Sequence, residues 1–278
     1  MIRQTNQDFF WLIQTDPDLD KELMDELIRL AAPYPNFFLI KSNFVKKVPI
    51  TRHWHYRFLN ITQVVTGDKE RLQKAYEEAP KKILIETNLD AEDGLAFPVV
   101  QAIRDDTVKR LSSIAKQGLS KRKNGWVVSC YHQYIGWYPN TGMAGSATSE
   151  DGHLKIDLRH DTFCPTPGMT VASVPNANVT HVPVRKHNKL VREVSRCNSD
   201  EDTMCLNGIG QIPMSVRART PSSAGMNNIG GKIRADNSNQ FLWSYLDNLF
   251  GITREDVQRA GKYFLDNSKA IAREDLEG

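Results

Sequence analysis

Residues 125–138 read GWVVSCYHQYIGWY, and this stretch decides the fold class. Its aromatic and β-branched residues are those a pleated, half-buried surface accommodates best, and no apolar spacing of three and four runs through it. Downstream, the runs 153–159, 169–174, 179–184, 190–194 and 212–218 repeat that texture in short pieces. Turn-rich segments such as YPNTGMAGSATSEDG (138–152) and TPSSAGMNNIGG (220–231) separate them. Short strands punctuated this way predict a mostly antiparallel β-rich region.

Upstream the texture is mixed. Residues 18–32 (DLDKELMDELIRLAA) place Leu19, Leu23, Leu27 and Leu30 at helical spacing, with acids in the first turns and Pro17 and Pro33 as boundaries. Residues 36–46 and 48–65 read as strands, 68–79 as a helix and 82–87 (KILIET) as a strand. A longer helix starts near Pro98 and ends at Gly118, with Val99, Ile103, Val108, Leu111 and Ile114 as its apolar face. After residue 239 helical spacing returns, and Thr253 with Asp256 three positions on forms a capping signal. The expected class is α+β: a mixed N-terminal part, an antiparallel β-rich second half and a helical C-terminal tail. The expected regions are 1–124, 125–236 and 237–278.

Composition is that of a globular chain of 278 residues, 40% hydrophobic and 25% charged. No apolar run approaches the roughly 18 to 20 residues that span a bilayer, and the N-terminal residues lack the basic head and long apolar core of an export signal. A cytoplasmic protein is expected, either of a cell or of a virus made in one. Cys130, Cys164, Cys197 and Cys205 include no CxxC pair and are expected to be reduced thiols rather than disulfides or zinc ligands.

The formal net charge of +3 hides alternating blocks. Residues 107–149 contain no acid, while Lys109, Arg110, Lys116, Lys121, Arg122 and Lys123 crowd the first half of that window. Residues 35–60 are also free of acids and carry Lys41, Lys46, Lys47, Arg52 and Arg57. A further cluster, VRKHNKLVR (184–192), supplies Arg185, Lys186 and Lys189. One-signed patches attract polyanions. The run KRKNG leads directly into the aromatic stretch quoted above, where Trp126 and Tyr131 are candidate stacking platforms beside lysines. The expected partner is therefore DNA or RNA, held by its backbone, or an acidic protein surface. No membrane partner is expected, and a homo-oligomer is compatible.

The sharpest local pattern is TRHWHYRF (51–58), in which His53, His55 and Arg57 share one strand face and Trp54, Tyr56 and Phe58 the other. Two histidines so placed resemble the His-hydrophobic-His motif with which rolling-circle replication nucleases and relaxases hold a divalent metal. Those enzymes add a helical tyrosine, commonly with a lysine three positions on. Here Tyr76 is followed by Pro80 and Lys81 instead, so His53 and His55 are expected to be dispensable. The alternating GHLKIDLRHD (152–161) reads as a solvated strand face in which Asp157 lacks the companion acid of a nuclease site. There is no phosphate loop, GxGxxG fingerprint, HExxH or GxSxG elbow, and Gly230-Gly231-Lys232 reads as a loop. No catalytic centre, metal or cofactor is assigned. The alternatives are a structural subunit of a virion-like assembly, in which charge blocks meet between copies, and a nuclease using His53 and His55.

Overall fold

The computed structural model describes residues 1, 3–41, 60–89, 93–116, 126–129, 133–139, 153–158, 169–175, 213–218 and 240–277. The mixed α+β class holds, with helix and strand interleaved before residue 117 and strands dominating the described residues between 126 and 218.

The chain opens with a β–α–β unit. Strand β1 (Trp11–Thr15) and strand β2 (Phe37–Lys41) pair in parallel, Trp11 opposite Phe37 and Thr15 opposite Lys41. Parallel neighbours need a crossover. Helix α1 (Lys21–Ala31) supplies it, its first N–H groups satisfied by the Asp20 carboxylate, which accepts from the Glu22 and Leu23 amides. The buried residues of α1 are Met24 and Ala31, with Leu27 and Ile28 against the Phe37–Leu39 core. Leu23 and Leu30 are half exposed, a correction to the leucine stripe expected from spacing. Phe37 and Phe38 point to opposite sides of β2 and each meets an aromatic edge-on, Trp11 at 4.7 Å and Phe10 at 5.5 Å.

The strand expected over 48–65 is also corrected at its end. Ile61–Gln63 is a 3₁₀ turn, because the Asn60 side chain accepts from the Thr62 amide and folds the backbone locally. Among the described residues of that stretch, Val64 makes the bridge to the sheet, opposite Ile40. Gly67 follows with φ +93°, then helix α2 (Lys69–Glu78) with Asp68 as its cap.

Two further sheets are built from distant pieces of sequence. Strands β3 (Leu84–Asn88) and β5 (Trp126–Ser129) flank β8 (Met169–Ser173), both antiparallel to it. Strands β4 (Asp93–Leu95), β9 (Ser215–Ala218), β6 (Gln133–Tyr138) and β7 (His153–Leu158) form the second sheet in that order. All its pairings are antiparallel except β9 with β6, which run parallel.

Helix α3 (Val99–Lys116) links the cores of the two sheets. Val99 and Ile103 pack with Ile135 and Val216, and Leu111 packs with Val127 and Ala172. Val108 is exposed, a correction: at 3.6 residues per turn it lies about 180° from Val99, and buried Thr107 takes the place expected of it. The start of α3 is capped from outside the helix. Pro98 brings no N–H, and the Val100 amide donates 3.2 Å to the Oε1 of buried Gln4, whose Nε2 donates 2.9 Å to the Ala96 carbonyl.

The tail is helical, as expected. Helix α4 (Gln240–Tyr245) continues into a π-helical turn, Leu246–Phe250, that ends at left-handed Gly251 (φ +63°). The Gly251 and Ile252 amides donate back to the Asp247 and Leu246 carbonyls and close the helix. Helix α5 (Arg254–Glu277) begins with the expected capping pair: the Thr253 amide donates to Asp256 Oδ2 and the Asp256 amide to Thr253 Oγ1. Leu242, Leu246, Phe250 and Val257 bury against Ile135 and Val216, and Phe264 meets Trp137 edge-on. Among the described residues no helix is long and apolar enough to cross a membrane.

Candidate nucleic-acid interface

Strand register fixes where one candidate surface lies. In the three-stranded sheet Leu84, Ser173 and Trp126 form one terminal row, and Ile85, Ala172 and Val127 the next. Both β3 and β5 run antiparallel to β8, so both begin at this end. Leu111 of α3 packs on the second row, five residues before the last residue of the helix, Lys116. The backbone of Lys116 and that of Trp126 are thus the two ends of the segment that carries Lys121, Arg122 and Lys123.

Lysines that sequence reading did not nominate stand beside the start of β3. Lys74 on α2, and Lys81 and Lys82 after it, are exposed and surround one carboxylate, Glu78. Lys82 Nζ donates to Glu78 Oε2 at 2.5 Å, and this bond holds the Glu78 carboxyl below its ordinary range, with the charges of Lys82, Lys74 and Lys81 acting in the same direction. Lys74, Lys81 and Lys82 against Glu77 and Glu78 leave an excess of one positive charge over residues 74–82. In the sequence the signal was KAYEEAPKK, where Glu77 and Glu78 offset part of the basic charge.

The nominated residues differ in setting. Lys109 is exposed on α3. Arg110 is not a freely solvated cation: its side chain is 19% exposed and its Nε lies 3.4 Å from Asp106 Oδ2, whose side chain is 24% exposed. The pair is close enough for ionic attraction without hydrogen-bond alignment. Burial pushes the Asp106 carboxyl above its ordinary range, against the opposing pull of Arg110 and Lys109. Cations near the end of α3 also complement the helix dipole, a structural reason for them that needs no ligand.

Several expectations lie outside the described residues: Lys121, Arg122, Lys123, Tyr131, Arg185, Lys186 and Lys189, His53 and His55, all four cysteines, the 227–232 glycine loop and the strands expected at 179–184 and 190–194. Among the described residues no group of three or more His, Cys, Asp or Glu is placed to hold a metal ion. No protein-family model, curated protein or solved structure matches the chain.

Proposed function

We propose that this protein binds nucleic acid through the phosphate backbone, using the basic end of the three-stranded sheet. One observation carries the reading. The start of β3, next to Lys81 and Lys82, and the start of β5, next in sequence to Lys121, Arg122 and Lys123, share that end, and α3 packs one row away. Lysines at such a place neutralise phosphates without reading sequence. Arg110 contributes less than its neighbours in this reading, because Asp106 already offsets its charge.

The test is binding of labelled single-stranded and duplex DNA and RNA as a function of salt. Each phosphate contact on duplex DNA contributes nearly one unit of slope in log affinity against log salt. Changing Lys121, Arg122 and Lys123 together to Gln is expected to lower that slope by roughly two to three. Changing Lys81 and Lys82 to Gln is expected to lower it by up to about two, equally for unrelated sequences. If the unaltered protein shows no salt-dependent binding at low salt, the reading is wrong. The assembly-subunit reading then takes its place, favoured by half-exposed Leu23 and Leu30, seven residues apart on α1.

A further inference from the structure

Strand β1 lies at the edge of its sheet. Among the described residues it pairs with β2 alone, and Val64 bridges β2 on the opposite side. The Trp11 amide donates to the Asn36 carbonyl. Backbone groups alternate along a strand, so Trp11, Ile13 and Thr15 direct theirs to β2, while Leu12 and Gln14 turn theirs outward. Gln14 is exposed and Leu12 half-buried. An outward row of N–H and C=O groups is a template for another strand, and WLIQT holds none of the lysines or prolines that usually guard an edge.

Helix α1 flanks that edge with apolar side chains. At roughly 100° per residue, Leu27 lies about 60° to one side of buried Met24, and Leu23 and Leu30 lie about 100° and about 120° to the same side. The right-handed crossover of a β–α–β unit turns that side toward the outer edge of β1 rather than toward β2. Leu23 and Leu30 are half exposed there, and Trp11 and Ile13, on the face of β1 that meets α1, are only partly buried. Outward backbone groups and incompletely covered apolar side chains therefore share one border of the sheet.

Charge selects the occupant. Residues 14–30 carry Asp16, Asp18, Asp20, Glu22, Asp25 and Glu26 against Lys21 and Arg29, and both cations are already engaged within α1, by Asp25 and Glu26. A second copy adding its own β1 would bring the same excess of acid, so like charge opposes self-pairing. We infer that the β1 edge takes an extended, basic segment of another protein as a third strand. Main-chain bonds to Leu12 and Gln14 hold it, its alternate apolar side chains enter beside Trp11, Ile13 and the leucines of α1, and its cations face the acids. The inference stands apart from the nucleic-acid reading, whose basic end belongs to a different sheet.

The probe is a fluorescein-labelled peptide of alternating lysine and valine, titrated into the full chain at low salt. A twin with every amide N-methylated keeps the charge and side chains but cannot donate to a neighbouring strand, and it is expected not to bind. With the first peptide bound, hydrogen exchange is expected to slow at the Leu12 and Gln14 amides and to stay unchanged at Trp11, Ile13 and Thr15, which already face β2. Gln14→Pro removes an outward N–H without touching the β2 ladder. It is expected to weaken the peptide at least about 2- to 12-fold, the effect of one net hydrogen bond. Leu23→Gln combined with Leu30→Gln is expected to weaken it roughly 10- to 100-fold. Should the proline variant fail to fold, the exchange and twin-peptide measurements decide alone. Equal binding of the twin, or binding that leaves Leu12 and Gln14 exchange unchanged, reduces the effect to attraction by the acids and overturns the inference. No binding overturns it too. Slow exchange at both amides without peptide also overturns it: protection that rises with protein concentration gives the edge to a second copy, and protection independent of concentration gives it to this chain itself.

Discussion

At Gly67 the backbone has φ +93°, and a Cβ there would lie 2.5 Å from Cδ1 of fully buried Phe38 and 2.7 Å from the Phe37 carbonyl oxygen. Gly67→Ala therefore combines a conformation unfavourable to L side chains with a collision against a core ring. A loss of at least about 2 kcal/mol is expected, read as a lower midpoint in urea. A second residue-scale prediction concerns Asp106. Its folded-state pKa is raised by burial, so the folded state binds its proton more tightly than the unfolded chain does. The cost of holding it ionised is in full force above the folded pKa and fades as pH falls through the carboxylate range. Asp106→Asn is expected to raise the melting temperature at neutral pH, and the gain should shrink on acidification. A constant difference across that range would show that burial is not the controlling effect. Neither feature was legible in the sequence, since a glycine between Thr66 and Asp68 or an aspartate on a charged helix reveals nothing of what packs against it.

Elements bounded by local chemistry were the legible ones. The Thr253–Asp256 capping pair forms its reciprocal bonds as the three-residue spacing predicts, and the apolar spacing of 18–32 and 68–79 corresponds to α1 and α2. What misled was treating each apolar residue on a helix as core. Val108 and Leu23 are exposed because the helical period, not hydrophobicity, decides which side meets the sheet. The cap of α3 was beyond reach in principle, because Gln4 is more than ninety residues from the amide it accepts from. That contact gives a prediction at this scale. Gln4→Ala leaves the Val100 amide and the Ala96 carbonyl without their partner in a site only 4% exposed. A loss of about 1–3 kcal/mol is expected, together with faster hydrogen exchange at Val100 than in the rest of α3. Unchanged exchange there would mean that the helix start is held by its own backbone turn.

At the scale of the molecule, register was the missing information. The sequence announced strands at 82–87, 126–138, 169–174 and 212–218, but pairing joins β3 to β8 and β4 to β9 across gaps of about eighty and a hundred and twenty residues. The candidate surface shares that dependence: the basic end needs β3 and β5 to start side by side. Helix α3 ties the two sheets, with Val99 and Ile103 buried in one core and Leu111 in the other. Leu111 is 2% exposed against Val127 and Ala172. Leu111→Ala is expected to cost about 2–5 kcal/mol as a cavity in a buried contact. Because that same helix is anchored in both cores, the loss should not stay local. Circular dichroism and tryptophan fluorescence are expected to report one shifted transition at a common denaturant midpoint. Two separated midpoints, with only one moved by the substitution, would show instead that the sheets unfold as independent units and that α3 is a linker between them rather than a shared wall.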